Sequence, residues 1–81
     1  RDNKTLLQEW SQAKKLGLPK YTLVSKDGPA HNPVFTVKVE IANLNNRDGK
    51  GKTLQDAEQK AAKQFLKYIN TKNEKETIKN Y

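Results

Sequence analysis

The sequence contains no cysteine, and its 81 residues include only three prolines and four glycines. Without cysteine the chain can form neither a disulfide nor a thiolate metal site, so packing alone must stabilise it, and the cytoplasm is the expected compartment. No apolar run approaches the roughly 20 residues that span a bilayer, and the start at Arg1 shows neither an initiator methionine nor a signal sequence. We therefore expect a soluble piece of a longer protein, without a membrane partner.

Apolar residues are also scarce, at 33% of the chain, and they are concentrated between Leu6 and Ile69. A chain of this length has room for one small core, because it buries only about 60% of its unfolded surface. Residues 1–69 are therefore predicted to form one domain. Residues 70–81 offer little apolar surface to offset the entropy of ordering, so they are predicted to be a frayed or disordered tail.

Acidic residues are outnumbered by lysine and arginine, nine to sixteen, and the net charge is +7. The excess is +3 in residues 1–20, zero in residues 21–46, +3 in residues 47–69 and +1 in residues 70–81. Clustered lysines gain affinity for a polyanion by releasing its condensed counterions, so a polyanion that spans both basic segments is a natural partner. A surface charge that only keeps the protein dissolved would give the same total.

Hydrophobic spacing predicts a helix at each end of the domain. The first runs from Lys4 to Lys15, before Gly17 and Pro19 stop it. The second begins at Thr53, a suitable N-cap with Asp56 three residues later, and continues to about Ile69. The expected buried face of the first helix consists of Leu6, Leu7, Trp10 and Ala13. That of the second consists of Leu54, Ala57, Ala61, Ala62, Phe65, Tyr68 and Ile69, with Lys60, Lys63 and Lys67 on the opposite face.

Three strands are predicted between the helices. Tyr21–Ser25 is rich in β-branched and aromatic residues and precedes a turn signal at Asp27-Gly28-Pro29. Strict alternation over Phe35–Ile41 puts every second, apolar side chain on one face. Arg47–Lys52 has two glycines and little β-propensity, so only its position favours a strand. The predicted class is α+β, in the order α-β-β-β-α, with both helices on one face of a three-stranded antiparallel sheet.

Three segments are candidates for binding. The face of the first helix opposite its apolar residues is polar but barely charged, and consists of Thr5, Gln8, Glu9 and Gln12. Such a stripe suits the wide, shallow minor groove of A-form RNA, whose 2′-hydroxyls both donate and accept hydrogen bonds. It would equally suit an ordinary solvated helix face. His31, the single histidine, lies between Pro29 and Pro33, which restrict its loop and so reduce the entropy lost on binding. It could also be an ordinary loop residue.

The third segment is Gly49-Lys50-Gly51-Lys52-Thr53, which leads into the second helix. Glycines allow close approach of a phosphate, lysines supply charge, and a helix N-terminus presents unpaired N–H groups, so an anion site is one interpretation. A plain glycine-rich turn is the other. The spacing is not that of a Walker P-loop.

These three blocks resemble the signature of the double-stranded-RNA-binding domain over residues 4–69. The blocks are Thr5–Trp10, Gly28–Phe35 and Gly49–Ala62. Asp2-Asn3-Lys4-Thr5 and Ala57–Ala62 further resemble the C-terminal domain of bacterial ribonuclease III. The resemblance implies binding of double-stranded RNA largely independent of sequence, with the first helix in one minor groove, the loop in the next, and the third segment on the phosphates between them. The RNA-binding residues it implies are Thr5, Gln8, Glu9, Gln12, Pro29, His31, Lys50, Lys52, Thr53, Gln55 and Lys60.

One departure from the family concerns the start of the second helix, where two adjacent basic residues are usual and this sequence has Leu54-Gln55. We expect weaker binding and a shallower salt dependence, with Lys50, Lys52 and Lys60 as the residues that could compensate. An alternative is a protein-interaction module of the same fold that has lost RNA binding, for which an exposed Leu54 would be suited. Binding of B-DNA is disfavoured because no predicted helix presents arginines to a major groove.

The chain itself is not expected to be an enzyme, because its acidic residues are scattered singly among lysines and form no carboxylate cluster. The resemblance implies a parent ribonuclease III whose separate nuclease domain uses a divalent metal such as Mg²⁺. It also implies that this domain needs no cofactor and no small-molecule substrate. The isolated domain is expected to be a monomer and the parent a homodimer.

Overall fold

The computed structural model describes residues 2–42 and 44–79, with helices and strands in the predicted order and class. The elements are α1 Asn3–Ala13, β1 Lys20–Asp27, β2 Val34–Ile41, β3 Asn45–Gly51 and α2 Leu54–Lys79. The strands form one antiparallel sheet in the order β1-β2-β3. Helix α2 packs on β2 and β3, and α1 packs beside α2. In the part of the chain described, no helix is long and apolar enough to cross a membrane.

The core lies between the sheet and the two helices. Its fully or nearly fully buried side chains are Leu7, Val37, Val39, Ile41, Ala57, Ala61, Ala62, Phe65 and Ile69. The alternation predicted for β2 is therefore confirmed, although Thr36 on the opposite face is also buried because it lies on the central strand between Ser25 and Lys50. Leu6, Ala13 and Leu54, expected in the core, are exposed.

Helix α1 begins at an N-cap, because the Asp2 carboxylate accepts a hydrogen bond from the Thr5 N–H at 2.7 Å. This backbone hydrogen bond lowers the pKa of Asp2 below its ordinary value of 3.8. The helix ends at Ala13, earlier than the predicted Lys15, which adopts a left-handed φ of 60°.

A buried serine stabilises the turn after α1. Ser11 is fully buried, and its hydroxyl donates a hydrogen bond of 2.6 Å to the carbonyl oxygen of Gly17. Gly17 has a φ of 86°, which a residue with a side chain rarely adopts. The chain therefore folds back towards β1 at this point and cannot continue as a helix.

Strand β1 contains a β-bulge. The register pairs Leu23 with Val37 and Ser25 with Thr36, which leaves Val24 as the additional residue. β1 pairs only with β2, so its other edge has no neighbouring strand in the sheet. Val24 is 55% exposed at this edge.

Helix α2 begins as predicted, with the Thr53 hydroxyl accepting a hydrogen bond from the Asp56 N–H at 3.0 Å. It continues to Lys79, well past the predicted end near Ile69, because no proline or glycine interrupts residues 70–79. Ile69 is the last buried residue of the helix among those whose burial is described. Residues 80 and 81 of the predicted tail lie outside the described residues, and the division at residue 69 stays a prediction.

The two glycines of β3 allow α2 to lie directly on the strand. Gly49 and Gly51 are buried, and a Cβ atom on Gly49 would lie 2.6 Å from the Ala57 carbonyl oxygen. A Cβ on Gly51 would lie 2.6 Å from the Ala57 backbone nitrogen. The interpretation of these glycines as a close approach to phosphate is therefore wrong: what approaches them is the backbone of α2.

Candidate nucleic-acid interface

The side chains predicted to bind RNA lie on three separated segments, and all of them are exposed. On α1 they are Thr5, Gln8, Glu9 and Gln12, in the β1–β2 loop Pro29 and His31, and near the start of α2 Lys50, Lys52, Thr53, Gln55 and Lys60. Polar side chains left accessible in this way are available to a partner. The sequence and the fold therefore agree on which side chains face the solvent, and their contacts with RNA stay a prediction.

Helix α1 is fixed to the first turns of α2 by polar contacts over a long sequence separation. The Asn3 N–H donates to the Gln59 side-chain oxygen at 3.0 Å, and the Asn3 side-chain amide donates to the Gln59 carbonyl at 3.3 Å. Lys4 forms an ion pair with Glu58 at 2.7 Å. These contacts set the orientation of the polar stripe of α1 relative to the start of α2.

Gln8 shows how the polar stripe meets the rest of the surface. It lines a shallow depression with Lys4, Leu18, Pro19 and Tyr21. The Lys4 ammonium lies 4.9 Å from the centre of the Tyr21 ring, so its charge is held by both the ring and Glu58. Lys4 is therefore a structural cation, and the hydrogen-bonding groups of the stripe remain on the outside.

The β1–β2 loop has a defined backbone. Gly28 has a φ of 84°, and a Cβ at this position would lie 2.8 Å from the Asn32 carbonyl oxygen. The Asn32 N–H donates to the Pro29 carbonyl at 2.9 Å, which closes a turn around the exposed His31. His31 is thus presented by a turn of fixed shape, as its two flanking prolines suggested.

The strand register places this loop near the start of α2. Phe35, close to the loop, pairs with Gly51, and Gly51 packs against Asp56 and Ala57. Since α1 contacts Glu58 in the same part of α2, the start of α2 adjoins both the loop end of the sheet and the first turn of α1. The three predicted segments are connected through this part of α2.

A basic groove between β3 and α2 contains more cations than the sequence predicted. Lys50 and Lys60, both predicted, line it together with Arg47, Lys63 and Lys67, which were not. The helical spacing already placed Lys63 beside Lys60 and Lys67 on one face. Arg47 could not be assigned from sequence, because its position follows from the register of a strand with weak β-propensity.

Leu54 is 39% exposed at the start of α2, as the protein-interaction alternative expected. Single exposed apolar residues are common on protein surfaces and do not by themselves indicate an interface. Gln55 beside it is exposed as well. The exposure of Leu54 therefore does not favour the alternative.

The chain matches a known family model along most of its length. The model described as double-stranded RNA binding motif matches residues 3–69. Ribonuclease 3 of Jannaschia sp. (strain CCS1) is 47% identical over 66 residues, which are 82% of this chain and 29% of that protein. Ribonuclease 3 of Anaplasma marginale (strain Florida) is 51% identical over 69 residues, 85% of this chain and 30% of that protein. The chain thus spans less than a third of the length of these relatives.

Solved structures give the same picture. The second double-stranded-RNA-binding domain of DRB4 is 40% identical, with a TM-score of 0.63, and the match covers 83% of this chain and 93% of that one. The first such domain of HYL1 is 32% identical, with a TM-score of 0.68, and the match covers 82% and 93% of the two chains. The fold, the sequence blocks and the length of the matches therefore all agree with the family model.

Proposed function

Because this chain belongs to the double-stranded RNA binding motif family, we propose that it binds double-stranded RNA by shape and charge. The observation that carries the proposal is that every side chain selected from the sequence for RNA contact is exposed, on three segments joined through the start of α2. The same elements bury the apolar core on the other side, so binding requires no rearrangement of the fold.

Each segment has a distinct task in the proposed complex. The amide and carboxylate groups of α1 bond to 2′-hydroxyls in one minor groove, and the turn around His31 enters the next. Lys50, Lys52 and Lys60 contact the phosphates between the two grooves. Such a domain covers about 16 base pairs, and contacts to 2′-hydroxyls and phosphates depend little on base sequence.

We further propose that the chain is the substrate-binding part of a homodimeric, cytoplasmic ribonuclease III. Relatives of which the matched segment is less than a third carry the name ribonuclease 3. Among the described residues no group of three or more histidine, aspartate or glutamate side chains could hold a metal ion. We propose that the metal-dependent cleavage belongs to the remaining part of such a protein and that this domain contributes binding.

Replacement of His31 by alanine tests the proposed interface. We expect the wild-type chain to bind a labelled 20-base-pair RNA duplex of any sequence and to bind the matching DNA duplex more weakly. The H31A variant should bind the RNA duplex several-fold more weakly, because it loses a minor-groove contact, while its melting temperature stays unchanged because His31 is exposed. Fluorescence anisotropy and thermal melts measure the two quantities.

The matched control is Asn46→Ala, an exposed polar residue at the opposite end of β3 from Gly51. This variant should bind and melt as the wild type does. Equal RNA affinity for H31A and wild type would show that His31 and its loop are not part of the interface. A wild-type chain that binds no RNA duplex would refute the proposed function.

A further inference from the structure

The groove between β3 and α2 is a second basic surface beside the predicted interface. It has a volume of about 460 Å³, and five of its lining residues are cations: Arg47, Lys50, Lys60, Lys63 and Lys67. Asp48 is its one acidic residue, and Gly49 and Gln64 complete the lining. Because Gly49 has no side chain, α2 lies close to β3 and the two rows of cations face one groove.

The lysines on the α2 side of the groove have no role in holding the fold together. Lys60, Lys63 and Lys67 form no ion pair with any described residue. Their spacing of three and four residues places like charges next to one another on the helix, where they repel. An arrangement that is unfavourable in the free protein becomes favourable when a polyanion lies along it.

Arg47, on the strand side of the groove, is held in a fixed position. Its guanidinium lies 4.3 Å from the centre of the Tyr68 ring, and it donates to the Asn45 side-chain oxygen at 2.8 Å and to the Asn46 carbonyl at 2.6 Å. These contacts leave part of the guanidinium for a ligand. A guanidinium already ordered loses less entropy when it binds a phosphate.

The first turn of α2, by contrast, offers little attraction to phosphate. Leu54 and Gln55 are uncharged, and Asp56 is acidic. The cations of α2 begin only at Lys60 and continue along the groove. Phosphate contact on this side of the domain therefore has to be made further along the helix than its N-terminus.

We propose that the β3–α2 groove, through Arg47, Lys63 and Lys67 together with Lys50 and Lys60, binds the phosphate backbone of the RNA. The inference rests on the proposed function and extends it to three residues outside the predicted set. An acidic protein segment is the less suitable occupant, because protein interfaces depend on apolar and aromatic anchors. The described lining of the groove contains no apolar or aromatic side chain. The Tyr68 ring, outside that lining, is covered on one face by Arg47.

The experiment compares two double variants that lose the same charge. Lys63→Gln with Lys67→Gln removes groove lysines, whereas Lys14→Gln with Lys72→Gln removes two exposed lysines beside Trp10, outside the groove. Anisotropy with the 20-base-pair RNA duplex is measured at several salt concentrations. The groove variant should bind on the order of tenfold more weakly, and its slope of log K against log salt should fall by up to about 1.8, the value for two lost phosphate contacts.

The control variant should keep the wild-type slope of log K against log salt. Any change should be smaller than the loss of about half a phosphate contact would cause. Equal losses in both variants would show a general effect of charge and overturn the proposal, as would a groove variant that binds like the wild type. A groove variant that binds RNA normally but loses binding to polyglutamate would assign the groove to an acidic protein instead. Far-UV spectra and melts establish that both variants fold, and a wild-type chain without RNA affinity would refute the proposed function itself.

Discussion

At the scale of single residues, Tyr21 has a structural role but also carries a buried polar group without a hydrogen-bond partner. Its ring packs against the core and under the Lys4 ammonium. Its hydroxyl is buried and has no hydrogen-bond partner among the described residues. Burial, followed by the nearby carboxylates of Glu58 and Asp2, raises the pKa of Tyr21 from 10.0 to about 12. The protein therefore resists ionisation at this site.

Tyr21→Phe should change the alkaline stability of the domain more than its stability at neutral pH. The folded-state pKa lies above the unfolded one, so the wild type has its full stability below about pH 10 and loses stability as the pH rises towards 12. The variant cannot ionise at this position, so its melting temperature should fall less over that range. Near pH 7 it should be as stable or slightly more stable, because no buried hydroxyl remains without a partner.

Thermal melts at about pH 7 and about pH 11 measure both effects. Tyr68→Phe, which removes a hydroxyl from another partly buried tyrosine, is the control for the general effect of alkali. An identical loss of melting temperature for wild type and Tyr21→Phe would show that Tyr21 ionises as easily in the folded state as in the unfolded one.

Polarity alone predicted which side chains would be exposed, but it could not predict polar residues that act inside the fold. Ser11 is buried and donates to the Gly17 carbonyl, and Asn3 is held by Gln59, which lies 56 residues further along the chain. Such roles depend on partners that only the folded chain brings together. The spacing of Ser11 on α1, one turn after Leu7, is the signal that could have indicated its burial.

At the scale of elements, the contact between β3 and α2 depends on a glycine of β3 that packs directly against alanines of α2. Gly49 lies beneath the helix backbone near Ala57 and Ala61, so a helix and a strand meet there without intervening side chains. Two buried surfaces packed at this distance can admit no additional methyl group without moving. The position of the basic groove depends on the same close contact.

Gly49→Ala should therefore destabilise the domain, by about 1–3 kcal/mol or more, because the added methyl group meets backbone atoms that cannot turn aside. Urea unfolding followed by far-UV circular dichroism measures the free energy. Asp48→Ala, an exposed neighbour on the same strand, is the control and should change stability by no more than about 0.5 kcal/mol. A Gly49→Ala variant as stable as this control would show that α2 can move away from β3 at little cost.

The elements with strong hydrophobic spacing could be predicted from that spacing, whereas the strand predicted at Arg47–Lys52, confirmed as β3, followed from its position alone. β2 and the start of α2 followed from alternation and from Thr53 as the N-cap. β3 has little intrinsic preference for a strand, and pairing with β2 and packing under α2 hold it in place. The length of α2 was underestimated because scarcity of apolar residues indicates weak packing and does not stop a helix.

At the scale of the whole molecule, the distribution of cations decides how strongly and how selectively the chain attracts a polyanion. The two basic segments seen in the sequence meet where α1 packs beside α2. Part of this charge is neutralised within the fold, since Lys4 pairs with Glu58 and Lys38 with Glu40. Of the described lysines without an ion pair, Lys60, Lys63 and Lys67 lie along α2, and Lys50 lies beside it in the same groove.

Adding cations at the start of α2 should strengthen binding to RNA. In the double variant Leu54→Lys with Gln55→Lys, both replaced side chains are exposed, so the fold should be retained. Two further phosphate contacts should tighten binding and steepen the slope of log K against log salt by up to about 1.8. The cost in stability should be small, about 0.3–1 kcal/mol for each cation near a helix N-terminus.

Anisotropy between about 0.05 M and about 0.2 M salt measures this change. Leu54→Gln is the uncharged control and should leave the slope at its wild-type value. A double variant whose slope equals that of the control would place the start of α2 away from the phosphates and would leave phosphate binding to the groove and to the β3–α2 connection.

The irregularity of β1 has a consequence for the protein in concentrated solution. An open strand edge is a template on which a second molecule can add its own strand, and continued addition leads to fibrillar aggregates. In β1 the additional residue at Val24 disturbs the row of amide and carbonyl groups, while Lys20 and Lys26 place positive charge on both sides of it. Two copies brought together at this edge would meet mismatched hydrogen bonds and mutual repulsion, so β1 is a poor template for the addition of a second molecule.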